Sequence, residues 1–519
     1  MDGSGTGRSR FVVLVACVLL VITGACTSPS KEKEADGRGT GTASVMSFGA
    51  KGDGVTDDTK AIQAAIDSIP DSGGRITVPT GTYRISEPLV VRRNGLTLRG
   101  DGPRSVLKLA DGVTRTMFTL PVEFGPNVNS ADVVVTDVEV SRLTIDGNKN
   151  GQAQIPPTFF GMHLLHAERV ILSELVFKDW AFDALAIGVG QKPNVDITIR
   201  NSRFSGNGRH AIHLGYGSNL KVSQVYVDDT PSQQWGPAAG SAIDVEVEGQ
   251  DSFVDGLVIE DSFFERMGTK TAGFGIGLQP AFGPVRNAVV RRNVVRNHQT
   301  GVFVAKAEGV EVKDNWILAD DSLTTGTGIG VQDGTPKVEG NVLNLLRWSS
   351  SFAHAAISTD ATAAPRTISG NHLLGGACTF RLNGGGRSVP IEGNTWANSS
   401  GCFLDPASQP ERVAHSRNDR LPLDSLDQDP PTVTLQRLGA SVATSATTIR
   451  AMTSDRGAGV ARVYFLFDGV PVGFSDSAPY EISVDPAHYV AGEHTVEAVA
   501  VDKAANVSLM NSVGVEFRP

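Results

Sequence analysis

One short pattern returns along the middle of the chain and restricts the fold more than any other feature. A small residue, an aliphatic, any residue and a second aliphatic occur at 161–164, 184–187, 211–214, 242–245, 275–278, 301–304 and 328–331. An eighth copy, Ala-Ile-Ser-Thr, lies at 356–359. The starts are separated by 23, 27, 31, 33, 26, 27 and 28 residues. A motif recurring at that period marks a stack of similar units. Each period suits one coil of three short strands. Strand side chains alternate, so the aliphatics point inward and the residue between them points out.

A second column agrees. Asn293, Asn315, Asn341, Asn371 and Asn394 each sit between two strand-like runs. Asn tolerates the left-handed turn conformation, and stacked Asn side chains can hydrogen-bond from coil to coil. A β-sandwich would also show many short strands, but it needs no motif returning at coil length. No helical periodicity separates the strands, which argues against a doubly wound α/β fold. The 58 glycines and the low aromatic content, 6%, suit a turn-rich β architecture. The expected class is all-β: a parallel β-helix over 45–424.

The first residues read as a leader. Arg8 and Arg10 precede an apolar run at 11–22 that ends in Thr23, Gly24, Ala25 and Cys26. A basic start, a short apolar stretch and small residues make a secretory signal, too short to be a good membrane span. The cysteine after small residues resembles a bacterial lipoprotein signal, with Thr23 where Leu is usual. That resemblance implies a signal over 1–25 and lipidation of Cys26. Lipidation would anchor the chain to the outer face of the bacterial membrane by lipid alone; cleavage without lipid would give a secreted chain. Residues 26–44 lack an apolar pattern and read as a tether. Cys378 and Cys402 remain as a pair in an exported chain, either as a disulfide or as two buried thiols.

FGAKGDGVTDDTKAIQAAID occupies 48–67. Its second half predicts an amphipathic helix capped by Thr56 or Asp57, with Ala61, Ile62, Ala65 and Ile66 on one face. Strands follow at 75–79, 81–85 and 96–100. This order resembles the start of the pectate-lyase superfamily, where a helix plugs the open end of a right-handed parallel β-helix. The likeness covers about 55 residues. It implies an extracellular enzyme acting on a polysaccharide, as a lyase or glycoside hydrolase. The alternatives are a glycan-binding surface protein without activity, or a polysaccharide epimerase.

Past a linker at 427–431 the pattern changes. Runs such as Thr-Val-Thr-Leu at 432–435, Asp468-Gly469 and His-Thr-Val-Glu-Ala-Val-Ala-Val-Asp at 494–502 resemble bacterial Ig-like domains. The expectation is a small Ig-like sandwich over 429–519, serving as a spacer or as a carbohydrate-binding accessory. Net charge is −10, which argues against a nucleic-acid partner; the expected partner is a polysaccharide and the expected state a monomer.

Candidate chemistry comes from the outward columns. The residue between the two aliphatics is His163, Ala186, His213, Asp244, Gly277, Phe303, Gly330 and Ser358 in turn. Polar groups gather in three consecutive coils: Asp183; then Arg209, His210 and His213; then Asp244, Glu246 and Glu248. The longest coils bracket Asp244. Asp183, His210, His213, Asp244 and Glu246 are the candidate catalytic groups. Trp180, Arg209, Tyr216, Trp235, Gln279 and Lys306 are the candidate substrate contacts. His213 and Asp244 should lie about 5 Å apart on adjacent coils, with the carboxylate raising the imidazole pKa. Calcium is the one cofactor suggested, with Asp244, Glu246 and Glu248 as its ligands. Polygalacturonases of the superfamily carry an Asp, an Asp-Asp pair, Gly-His-Gly and Arg-x-Lys on successive coils. Here Asp183 and His210 match, whereas Phe160, Phe182 and Asp244-x-Glu246 depart, so that hydrolytic constellation is broken.

Overall fold

The computed structural model describes residues 41–518 apart from 122–132, 153–159, 189–191, 229–239, 266–272, 320–325, 348–354, 361–362, 364, 384–387, 406–407, 409–412 and 441. The 11–22 run, Cys26 and Trp235 lie outside the described residues. No described helix is long and apolar enough to cross a membrane.

The coils are there. One full coil runs through Ala167–Ser173, Val176–Lys178 and Asp183–Ile187 before the chain re-enters the first sheet at Asn194–Arg200. Stacking gives three long sheets of 17, 14 and 11 described strands, and the described strands pair in parallel, as in Val170↔Ile197 and Phe177↔Phe204. The recurrent motif forms the third sheet. Its middle residues fall in one line, His163↔Ala186↔His213↔Asp244↔Gly277↔Phe303↔Gly330↔Ser358. The flanking aliphatics, such as Ile212, Leu214, Ile243 and Val245, fill one continuous core. This is a parallel β-helix, as the period predicts.

Helix Thr59–Asp67 lies against the first coils, burying Ile62, Ala65 and Ile66 in that core, with Ala61 partly buried. Its N-cap residue is Asp58, not Thr56 or Asp57. The Asp58 carboxylate turns back instead to Lys51 N and Gly52 N, 2.6 and 3.0 Å away. Asp57 accepts from Thr59 N, so the first turn borrows its neighbour's carboxylate.

The Asn ladder is also present, with one correction. Asn293, Asn315, Asn341, Asn371 and Asn394 each donate from Nδ2 to the Oδ1 of the next rung's Asn, ending on Asn418, at 2.9 to 3.1 Å. None of these five is left-handed. The left-handed residue is the one before, Arg292, Asp314, Gly340, Gly370 and Gly393. That turn swings the Asn side chain inward, where a buried amide must find partners. A disulfide joins Cys378 to Cys402 near the last coils.

After the linker come two sheets, antiparallel apart from the short parallel pairing of Val442–Ala443 with the last strand. Thr432–Leu438, Thr447–Ser454 and Tyr480–Val484 form one. The other is built around Val460–Phe467 and Gly492–Asp502, with a two-residue Asp468–Gly469 turn whose φ values, 48° and 77°, suit an Asp-Gly hairpin. The module is docked, not held off as a spacer. Tyr464, Leu466, Val499 and Val501 pack on Tyr226, Phe263, Val294 and Leu318 of the second sheet. Arg462, 2% exposed, bonds Asp261 of the β-helix at 2.9 Å and Asp476 of its own module. Contacts run from Arg104, which donates to Glu493 O, to Asn344, which donates to Ala504 O.

Candidate functional site

The third sheet presents its polar cluster over three coils, and the register explains why. His213 and Asp244 are direct partners on adjacent strands Ile212–Leu214 and Ile243–Val245. Their side chains meet, with His213 Nδ1 3.9 Å from Asp244 Oδ2. His210 comes from the turn before its strand, with Nε2 3.3 Å from the same oxygen. Asp183 opens the preceding strand. Both its oxygens are held by Arg209, at 2.7 and 2.5 Å, and Oδ1 also accepts from His210 N. Gln279 donates to Asp244 Oδ1 at 2.6 Å. Gly277 makes room, since a Cβ there would meet a Phe274 ring carbon at 2.8 Å and Asp244 Oδ1 at 3.3 Å.

These groups point away from the core and are nonetheless buried: His213 is 1% exposed and Asp244 and Asp183 are 0%. The expected pKa effect is therefore inverted. Burial lowers all three imidazoles, His163 and His210 to about 3, and His213 in the same direction. Asp244 does not lift His213. Burial instead pushes the Asp244 carboxyl up to about 7, against the Gln279 hydrogen bond that pulls it down. Burial would raise Asp183 as well. A protonated His210 and the Arg209 fork oppose this, and the net position is below the usual value. With His210 held neutral by its own burial, Arg209 is the partner that keeps Asp183 ionised.

Among the described residues, neither ring nitrogen of His213 has a hydrogen-bond partner, and nor has Asp244 Oδ2. His210 differs: its Nδ1 accepts from Ser241 N at 3.0 Å. A neutral ring that accepts at Nδ1 carries its proton on Nε2.

The suggested substrate contacts divide. Arg209 and Gln279 belong to the site and, with Glu246, form its half-buried rim. Trp180 does not. It is 1% exposed in the core, with its N–H on Ile145 O and its ring in space left by Gly147 and Gly161. Tyr216 is half-buried edge-on to Phe253. Lys306 is exposed in a groove of about 780 Å³ with Glu308, Asp333 and Arg366, coils away from Asp244. Ser241 was visible as the residue just before its coil's motif, but a main-chain donor leaves no trace in residue identity.

The calcium ligand set does not form. Asp244, Glu246 and Glu248 do not converge; Glu248 is exposed, and the groups that close around Asp244 are His210 and His213. Two imidazoles and one carboxylate are poor in the oxygen donors that calcium prefers. His210 Nε2, keeping its proton, cannot ligate any metal in this tautomer.

Residues 42–236 match the family model for rhamnogalacturonase A/epimerase, pectate lyase-like, and 431–498 that for a bacterial Ig domain. Alginate lyase 7 of Azotobacter vinelandii is 30% identical over 201 residues, 35% of this chain and 21% of the relative. Mannuronan C5-epimerase AlgE4 of the same organism is 30% identical over 182 residues, 32% of this chain and 30% of the relative. The chain thus spans about a fifth of the length of the lyase it matches. Among solved structures, the A-module of that AlgE4 is covered in full by 72% of this chain, at 17% identity and a TM-score of 0.48. The Streptococcus pneumoniae surface adhesin PfbA is 14% identical, with 91% of its chain and 73% of this one covered and a TM-score of 0.46. By these matches the chain carries a pectate-lyase-like domain followed by a bacterial Ig domain.

Proposed function

We propose that the third-sheet site acts on an acidic polysaccharide by proton transfer, as a lyase or an epimerase. The observation that carries this is a neutral, buried His213 with no hydrogen-bond partner among the described residues, 3.9 Å from a carboxyl group pushed up to about 7. A general base works best neutral, and a general acid works best with a pKa near the operating pH. His213 takes the proton beside a uronate carboxylate, and the electron pair moves into that carboxyl group. In a lyase the pair then forms the ring double bond as the glycosidic oxygen leaves, taking a proton from Asp244. In an epimerase the glycosidic bond stays, and a proton returns to the same carbon from the opposite face. Arg209, half-buried at the rim and paired with Asp183 through Nε and Nη2, supplies the positive charge that would hold the uronate carboxylate. The relatives' names, alginate lyase and mannuronan C5-epimerase, fall in the same two classes.

Hydrolysis is the second reading, favoured by the split between Asp183, held low, and Asp244, raised. It fits less well because Asp183 has both oxygens committed to Arg209 and His210 N, with none turned to a water or a sugar. The leader supports placing this activity outside the cell, lipid-anchored at Cys26.

The test is incubation of the protein with alginate, polygalacturonate and neutral glucans, with and without calcium. Ultraviolet-absorbing chain ends mark a lyase. Solvent deuterium entering an uncut polymer marks an epimerase. New reducing ends without either select hydrolysis. Binding without any product, unaffected by His213→Ala and Asp244→Ala together, would leave a glycan-binding protein.

A further inference from the structure

The two histidines beside Asp244 differ in one respect. His210 receives a main-chain hydrogen bond on Nδ1 from Ser241. His213 receives nothing on either nitrogen from the described residues. Both rings are buried, their centroids 6.1 Å apart, and both approach the same oxygen of Asp244.

From this asymmetry we infer that His210 is a positioning residue, locked by Ser241 N in the Nε2–H tautomer so that it donates to Asp244 and leaves proton uptake to His213. The inference rests on the proton-transfer reading of the site and assigns work within it. A main-chain N–H cannot be turned off, so Nδ1 of His210 stays an acceptor and its proton stays on Nε2. Nε2 is 3.3 Å from Asp244 Oδ2, within reach but out of line, and a small ring rotation completes the bond. On the other side Gln279 already donates to Oδ1 at 2.6 Å. The carboxylate is then gripped by one donor on each oxygen. Both grips favour its charged form and so work against burial.

Other charges face Asp244 and remain in place when His210 is changed. Asp183 and Arg209 lie on the preceding coils, paired with each other. Glu246 lies two residues on, just past the end of the same strand, with Glu248 beyond it, and His213 stands opposite. Of these, Glu246 and Asp183 push the carboxyl up and Arg209 pulls it down. Loss of the His210 donor should therefore raise Asp244 further, without altering the sign of anything else.

Two substitutions separate the roles. In His210→Gln the amide nitrogen takes the place of Nε2 and keeps the donor. In His210→Asn the only amide lies where Nδ1 was, and the donor is lost. The inference expects the Gln variant to keep the wild-type pH profile of turnover. It expects the Asn variant to shift the limb that reports Asp244 upward by about one pH unit, the worth of one hydrogen bond to a charged group. Equal profiles in the two variants, or a downward shift in the Asn variant, would overturn it. A second measurement needs no activity. Long-range proton–nitrogen NMR of the full chain, labelled at histidine, should show His210 at neutral pH with Nδ1 bare and Nε2 protonated. A proton on Nδ1, or a charged ring, would overturn the inference even if turnover is found. The predicted tautomer in a protein without turnover would uphold His210's role as the donor to Asp244 and count against the enzyme reading alone.

Discussion

Two columns of polar side chains run along this β-helix, and they are treated in opposite ways. The Asn ladder lies inside. Each of its amides donates to the next Asn and to a main-chain carbonyl of the coil before, as Asn341 does to Asn371 Oδ1 and Val312 O. The His213–Asp244 pair lies on the outer face of the third sheet, as deeply buried, yet among the described residues both nitrogens of His213 and one oxygen of Asp244 have no hydrogen-bond partner. Burying polar groups costs free energy unless hydrogen bonds offset it. The ladder offsets that cost at every rung and adds cohesion. The outer pair leaves it standing, which is what the proton-transfer proposal requires of this site and what separates it from the scaffold.

The contrast can be broken most sharply at His213. His213→Ala should lower turnover by about a thousandfold, in the range of a lost general base, while leaving the thermal midpoint unchanged or raised. Turnover within tenfold of wild type would remove His213 from the chemistry. The docked module gives the next largest effect. Arg462→Ala empties the place of a buried side chain and removes its bonds to Asp261 and Asp476, although Asp261 keeps its pair with Arg292; it should cost about 3 kcal/mol in denaturant unfolding, with the turnover pH profile unmoved. In the ladder, Asn341→Leu breaks two rungs and should cost about 2 kcal/mol. A neutral result there would mean that the ladder is not cohesive. The smallest effect has the opposite sign. Asp244 titrates at about 7 in the fold against an ordinary 3.8, so its burial favours the neutral acid. Its contribution to stability is full at pH below about 4 and is lost as pH rises through about 7. Asp244→Asn should abolish that loss and be more stable than wild type at pH 8.5 by about 1–2 kcal/mol, while inactive.

Much of this was legible from residue order. The motif period places His213 and Asp244 side by side, because strand alternation decides which residues share a face. It also gave the partnership of Asn side chains across coils. Other features depend on what lies over a face, and no period encodes that. The outward column reads as exposed and is buried, which reverses the imidazole and carboxyl pKa values. Trp180 reads as a platform for a sugar ring, yet glycines at 147 and 161 open a slot for it in the core. The left-handed turn falls one residue before each ladder Asn because the amide is needed inside. The Ig-like strands were recognisable, but Tyr464 and Leu466 look like ordinary strand residues until Tyr226 and Phe263 are found beneath them.

That docking limits how the molecule can change length. A solenoid elsewhere gains or loses a coil at little cost, since each unit touches only its neighbours. Here one module holds the stack at Arg104 and at Asn344. A coil inserted between those points would move one set of contacts about 4.8 Å past the other. The C-terminal module therefore acts as a ruler, fixing the number of coils on which the third sheet's side chains are arranged.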